Sequence, residues 1–225
     1  MIKNRGQVFL IGGEKGGVGK STITTNVAVE LAHRKADVII VDTDPQKTSF
    51  KWSERRTDLF ETKSLTYPSI SCIYKDGNIK ELIKNFVTKY DVVLIDASGR
   101  DSQSLRTGLV VADKFICPTR ASQADLETLP HICNLIEIAK DFNENLIAKA
   151  VMSCVSTNPL INEAKQAEEL LTDFAEYLSL ADSFIYERKV YRDALLQGLG
   201  VVELDNTKAT EEIKKFVDEM LESKL

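Results

Sequence analysis

Residues 8–22 read Val8-Phe9-Leu10-Ile11-Gly12-Gly13-Glu14-Lys15-Gly16-Gly17-Val18-Gly19-Lys20-Ser21-Thr22. An apolar run passes into a glycine-rich turn and then into a segment of helical spacing. Such a turn points backbone N–H groups inward, and the N-terminus of the following helix adds positive partial charge at the same place. The stretch specifies a phosphate cradle between a buried strand and a helix.

The ordinary phosphate-loop pattern asks for glycine six residues before the lysine. That position is Glu14 here, and the glycines fall at Gly16, Gly17 and Gly19. The amides of Gly16, Gly17, Val18, Gly19, Lys20, Ser21 and Thr22 surround phosphates if side chains are absent at the tight points. Lys20 then reaches the β- and γ-phosphates, and the Ser21 hydroxyl takes a place on Mg²⁺. Lys15 is too early in the loop for that task. The competing reading is a generic glycine turn with two solvated lysines.

At this spacing Lys15-Gly16-Gly17-Val18-Gly19-Lys20-Ser21 resembles the signature of the ParA/MinD family of ATPases. The resemblance implies Mg²⁺-dependent hydrolysis of ATP by an ATP-dependent homodimer. It also implies that Lys15 reaches across the dimer interface to the partner's nucleotide and neutralises charge on the transferred phosphoryl group, as an arginine finger does.

With 225 residues, 43% of them apolar, the chain suits one large α/β domain spanning 1–225. No run of about 18 apolar residues occurs, and the N-terminus leads straight into the first strand, so a cytoplasmic protein without a signal peptide is expected. Cys72, Cys117, Cys133 and Cys154 are widely spaced in or beside apolar stretches and read as buried thiols. His33 and His131 have no ligand partner at useful spacing. The formal net charge of −5 gives no global attraction to nucleic acid or anionic lipid, so any DNA binding requires a local patch.

Apolar runs at 8–11, 38–41, 70–74, 92–95, 114–117, 148–154 and 183–185 predict strands. Helical spacing is read at 20–34, 46–60, 78–89, 123–142, 158–178, 190–197 and 207–221, with an irregular loop at 62–68. The alternation predicts an α/β fold with a mostly parallel, twisted sheet and helices on both faces, a P-loop NTPase of the variant kind.

In open α/β sheets ligands sit at the carboxyl ends of the strands, so acidic residues there are candidates for chemistry. Asp96 ends the apolar strand Val93-Leu94-Ile95, where a charge is expensive unless compensated, and Mg²⁺ is a natural compensation. Asp42 and Asp44 end the second strand two residues apart. The family resemblance implies that Asp44 orients or activates the attacking water and that Asp42 supports metal and loop geometry. Helix N-capping by Asp44, with no chemistry, is the bland alternative. Pro45 suits the first turn of a helix, and Gly99 suggests a mobile loop after Asp96.

The wider resemblance, carried by Ile116-Cys117-Pro118-Thr119, Asp125-Leu126 and Glu187–Ala194 before Gly198, is to small plasmid-type ParA partition proteins. It implies ATP-dependent DNA segregation, with nonspecific DNA binding, a ParB-like centromere-binding adaptor that stimulates hydrolysis, and nucleoid association in the ATP state. Two alternatives within the family are an ATPase that positions a protein cargo and a MinD-like regulator that cycles on membranes. The amphipathic end, with Ile213, Phe216, Val217, Met220 and Leu221 on one stripe, has a polar face more acidic than basic, so no membrane partner is expected. Arg188, Lys189 and Arg192 form the densest late basic cluster and are the candidate DNA patch, with Lys208, Lys214 and Lys215 as reserves. Being far in sequence from the phosphate loop, the cluster is expected to play no part in hydrolysis.

Overall fold

The computed structural model describes residues 5–63, 66–158 and 171–222. Strands β1 (Gln7–Ile11), β2 (Val38–Asp42), β3 (Ser71–Tyr74), β4 (Val92–Asp96), β5 (Lys114–Thr119), β6 (Ile147–Val155) and β7 (Ser179–Tyr186) form one sheet in the order β3-β2-β4-β1-β5-β6-β7. Every neighbouring pair is parallel, so the carboxyl ends of all the strands share one edge.

The central strands are apolar on both sides because both sides are covered. In β1 and β4, Val8, Leu10, Val93 and Ile95 belong to one core. Phe9, Ile11, Val92 and Leu94 belong to the other. The first core is closed by α3 (Lys80–Phe86), α4 (Gln103–Leu109) and α6 (Leu129–Lys140). The second is closed by α1 (Lys20–His33), α2 (Thr48–Lys63), α7 (Lys189–Gln197) and α8 (Thr207–Leu221). Period-two alternation along each strand thus builds two cores from one run of apolar residues. In α8, Ile213, Phe216, Val217 and Met220 are buried, so its apolar stripe is already covered by the sheet.

A buried ion pair fastens α2. Arg56 reaches Glu203 at 2.6 Å, both side chains nearly inaccessible, and donates further to the Gly198 and Pro68 carbonyls. Removing one partner of such a pair costs roughly 3–5 kcal/mol, since the other charge stays buried. Gly198 is required beside it: its φ is +71°, and a Cβ there would lie 2.5 Å from the Arg56 backbone nitrogen.

The expected helices differ in instructive places. The second begins at Thr48 rather than at residue 46, because the Asp44 carboxylate holds the Gln46 N–H in a turn and Lys47 has φ +54°. Pro45 therefore sits in that turn, outside the helix. The long helix expected at 123–142 is broken into α5 (Gln123–Leu126) and α6. Pro130 has no N–H to continue the ladder and instead occupies the first turn of α6. Helix α4 has no counterpart among the expected helices, although Ser102 caps it by accepting from the Leu105 N–H at 3.1 Å. Most of the helix expected at 158–178 lies outside the described residues.

Candidate active site

The phosphate loop crosses the sheet at its carboxyl edge. Gly13, Gly17 and Gly19 all have positive φ, at 151°, 74° and 87°, values that side chains disfavour. Gly19 caps α1 in the left-handed conformation, and Lys20 opens the helix. Lys20 is buried, and its Nζ donates to the Lys15 carbonyl at 2.5 Å. Burial lowers the Lys20 pKa, while the charges of Asp96 and Asp44 pull it back up.

The three aspartates meet beside the loop. Asp42 and Asp96 are register partners on adjacent strands. Asp42 accepts the Asp44 and Phe50 N–H groups, each at 2.9 Å, so both of its oxygens hold the backbone that follows β2. Asp96 accepts from the Ser49 hydroxyl at 2.6 Å through Oδ2, whereas its buried Oδ1 has no hydrogen-bond partner among the described residues. Burial pushes the Asp96 carboxyl up to about 7, with the neighbouring Asp42 adding to the rise and Ser49, Ser21 and Lys20 opposing it. An unpartnered buried carboxylate oxygen close to the Ser21 hydroxyl fits a hard cation. Asp44 is half-buried and lines the pocket, although its Oδ1 also accepts the Gln46 N–H at 2.8 Å.

Residues that no local pattern singled out complete the surroundings. Arg120, after β5, donates to the Gly17 carbonyl at 2.6 Å, and Ser153 of β6 donates to the Val18 carbonyl at 2.8 Å. Cys154 lies on the pocket wall, unlike the buried Cys117 and Cys133. His131 stands 3.2 Å from Glu14 of the loop and 3.5 Å from Asp101. Gly99 has a different reason from the mobility expected of it: a Cβ there would lie 3.0 Å from the Lys15–Gly16 backbone, so glycine allows the segment after β4 to pack on the phosphate loop. The only sequence signal for Arg120 and Ser153 was their place at the carboxyl ends of strands.

A pocket of about 440 Å³ runs from Gly16, Gly17 and Gly19 of the phosphate loop past Asp44 and Cys154 to Tyr186, Arg188 and Arg192. Far from the phosphate loop in sequence, Arg188 and Arg192 of the basic cluster thus border the same pocket. Strand β7 ends on the same edge as β1, so the start of α7 forms the far wall of the pocket. The cations are also paired: Arg188 with Glu212 at 2.5 Å, Lys189 with Asp193 at 2.7 Å and Arg192 with Glu187 at 3.5 Å. Lys15 makes no hydrogen bond or ion pair through its ammonium among the described residues, and it does not line this pocket.

The Asp96 carboxyl gives a pH prediction with a definite sign. Its folded pKa, about 7, lies above the ordinary aspartate value of about 3.9, so between these limits the folded state retains a proton that the unfolded chain has lost. Stability without ligand should fall across that window as pH rises, by on the order of 4 kcal/mol, and level off above it. Asp96→Asn keeps the Ser49 contact but cannot ionise. Thermal unfolding from pH 5 to 8 should show a shallower decline in this variant and a higher midpoint than the parent at pH 8. Identical pH slopes would show that Asp96 does not titrate there.

Comparison with known proteins agrees with this fold. A family model described as ATPase MipZ matches residues 7–140. The chain is 25% identical to a maintenance of carboxysome distribution protein A from Halothiobacillus neapolitanus, over 99% of this chain and 100% of that protein. It is 27% identical to a protein ParA from Rhizobium radiobacter, over 64% of this chain and 63% of that one. Among solved structures, an ATP complex of a McdA variant from Cyanothece superposes with a TM-score of 0.80 at 18% identity, covering 98% of each chain.

Proposed function

The chain belongs to the ATPase MipZ family, within the ParA/MinD ATPases, and from that premise we propose that it is an ATP-driven dimer switch that positions a protein cargo inside the cell. The observation that carries the choice of cargo over a replicon is the end-to-end match to a carboxysome distribution protein, where the ParA match stops at 64% of the chain. The alternative weighed from sequence is therefore favoured over plasmid partition.

In this reading the loop amides of residues 16–22 receive the phosphates and Lys20 supplies the buried positive charge against them. Ser21 and Asp96 would hold Mg²⁺, which neutralises phosphate charge when bound. Asp42 is assigned to loop geometry rather than to direct metal binding, because both its oxygens already accept backbone N–H groups. Asp44, on the pocket wall, orients the attacking water. Lys15, whose ammonium has no partner among the described residues, crosses to the nucleotide of a second copy, and hydrolysis dissolves the dimer.

The switch needs a surface to act against, which we assign to nonspecific duplex DNA, and a ParB-like adaptor that links it to its cargo and stimulates hydrolysis. Lys189 and Arg192 stay available to phosphates because their ion pairs are exposed and weak. Arg188, held by Glu212 and placed over the Tyr186 ring at 5.3 Å, is a pocket-wall residue. Among the described residues no helix is long and apolar enough to cross a membrane.

Deleting the chain from its host separates cargo positioning from partition. Cells should keep their replicons at division yet distribute one protein assembly unevenly, as followed by a fluorescent fusion. Replicon loss with no assembly displaced would return the reading to partition.

A further inference from the structure

We propose that Arg120 and Ser153 are positioning residues that preset the phosphate loop for polyphosphate before any nucleotide arrives. Resting on the ATPase reading above, this adds two positioning residues that act through the loop backbone. In a planar trans peptide the C=O of one residue and the N–H of the next point in opposite directions. Arg120 fixes the Gly17 carbonyl at 2.6 Å, which turns the Val18 N–H the other way. Ser153 fixes the Val18 carbonyl at 2.8 Å, which does the same for the Gly19 N–H.

Two consecutive peptide planes are thereby clamped from outside the loop, by side chains from the ends of β5 and β6. Neither the Val18 nor the Gly19 N–H finds a protein acceptor among the described residues. Backbone donors left free in a glycine-rich turn at a helix N-terminus are the donors an anion takes. Gly17 and Gly19 would otherwise visit many backbone conformations, so the clamps remove an ordering cost that binding would bear. Arg120 is exposed and Ser153 is 1% exposed, so solvent reaches the first clamp and not the second.

The amides contact phosphates common to ATP and ADP, so loss of a clamp should weaken both nucleotides alike and leave turnover of bound ATP unchanged. Arg120→Gln should lower ATP and ADP affinity about tenfold, and Ser153→Ala roughly fivefold, as befits a charged and a neutral donor. Because the clamped planes are adjacent, the double variant should fall short of the roughly fiftyfold product. Arg120→Lys, which retains a donor, should recover most of the loss. Calorimetric titration with each nucleotide and single-turnover hydrolysis read these effects. Thermal unfolding without ligand should show Arg120→Gln unchanged from the parent.

If the parent protein binds neither nucleotide, the ATPase reading itself fails. If the parent binds and Arg120→Gln binds as tightly, or loses turnover alone, the positioning role is overturned. Full additivity in the double variant would also overturn the shared clamp.

Discussion

Alanine at Lys20 is expected to lower affinity for ATP and ADP by about a hundredfold or more. Lys20 is 7% exposed and its Nζ is held by the Lys15 carbonyl rather than by a carboxylate. Burial lowers its pKa, so the folded protein bears a cost for keeping this ammonium charged without ligand. A polyphosphate supplies the missing counter-charge. Losing a charge-assisted contact of this kind amounts to roughly 3 kcal/mol, about a hundredfold in a dissociation constant. The same argument predicts that the variant without ligand unfolds at the parent's temperature or above it, because a desolvated charge has been removed. Titration calorimetry and thermal unfolding on one preparation test both halves. Unchanged affinity would remove Lys20 from the phosphate site, and a large drop in unfolding temperature would make it a structural residue.

Lys15→Ala is expected to do the opposite: bind nucleotide almost as the parent does, but lose hydrolysis by about a thousandfold, the lower range for a charge supplied in trans to a transferred phosphoryl group. The Lys15 main chain serves its own protomer by accepting from Lys20 and packing on Gly99, and alanine preserves both contacts. Its ammonium has no partner among the described residues, which leaves it free for a second copy. ATP-dependent dimerisation should be lost with hydrolysis. Light scattering with ATP and Mg²⁺ checks this against the parent, and a parent that stays monomeric under those conditions would sink the trans role outright.

The remaining contrast between sequence and structure lies in what each can reach. Residues 8–22 by themselves determined a strand, a glycine turn and a helix that binds an anion, because side-chain alternation, positive φ at Gly17 and Gly19 and the free N–H groups of a helix start are local properties. The seven strands and the α/β class followed from the same kind of periodicity. Where a single residue overrode the pattern, as Pro130 did within the expected long helix, the boundary moved for an equally local reason. Asp42, Asp44 and Asp96 were legible as candidates because each ends or follows an apolar strand. Their separate tasks were not, since whether an oxygen is taken by backbone amides or left bare depends on Ser49 and Phe50 folding over them.

Only the tertiary structure decided which distant residues share the site. Strand order β3-β2-β4-β1-β5-β6-β7 brings the ends of β5, β6 and β7 round to the phosphate loop, so Arg120, Ser153 and Arg188 meet residues more than one hundred positions earlier in the chain. Sequence separation therefore gave no sign that Arg188 and Arg192 border the phosphate-loop pocket, and it hid the need for glycine at residue 99, which comes from a neighbouring backbone. Parallel strands share one carboxyl edge wherever they fall in the chain, and the packing of both sheet faces, rather than any local motif, fixes which ends become neighbours.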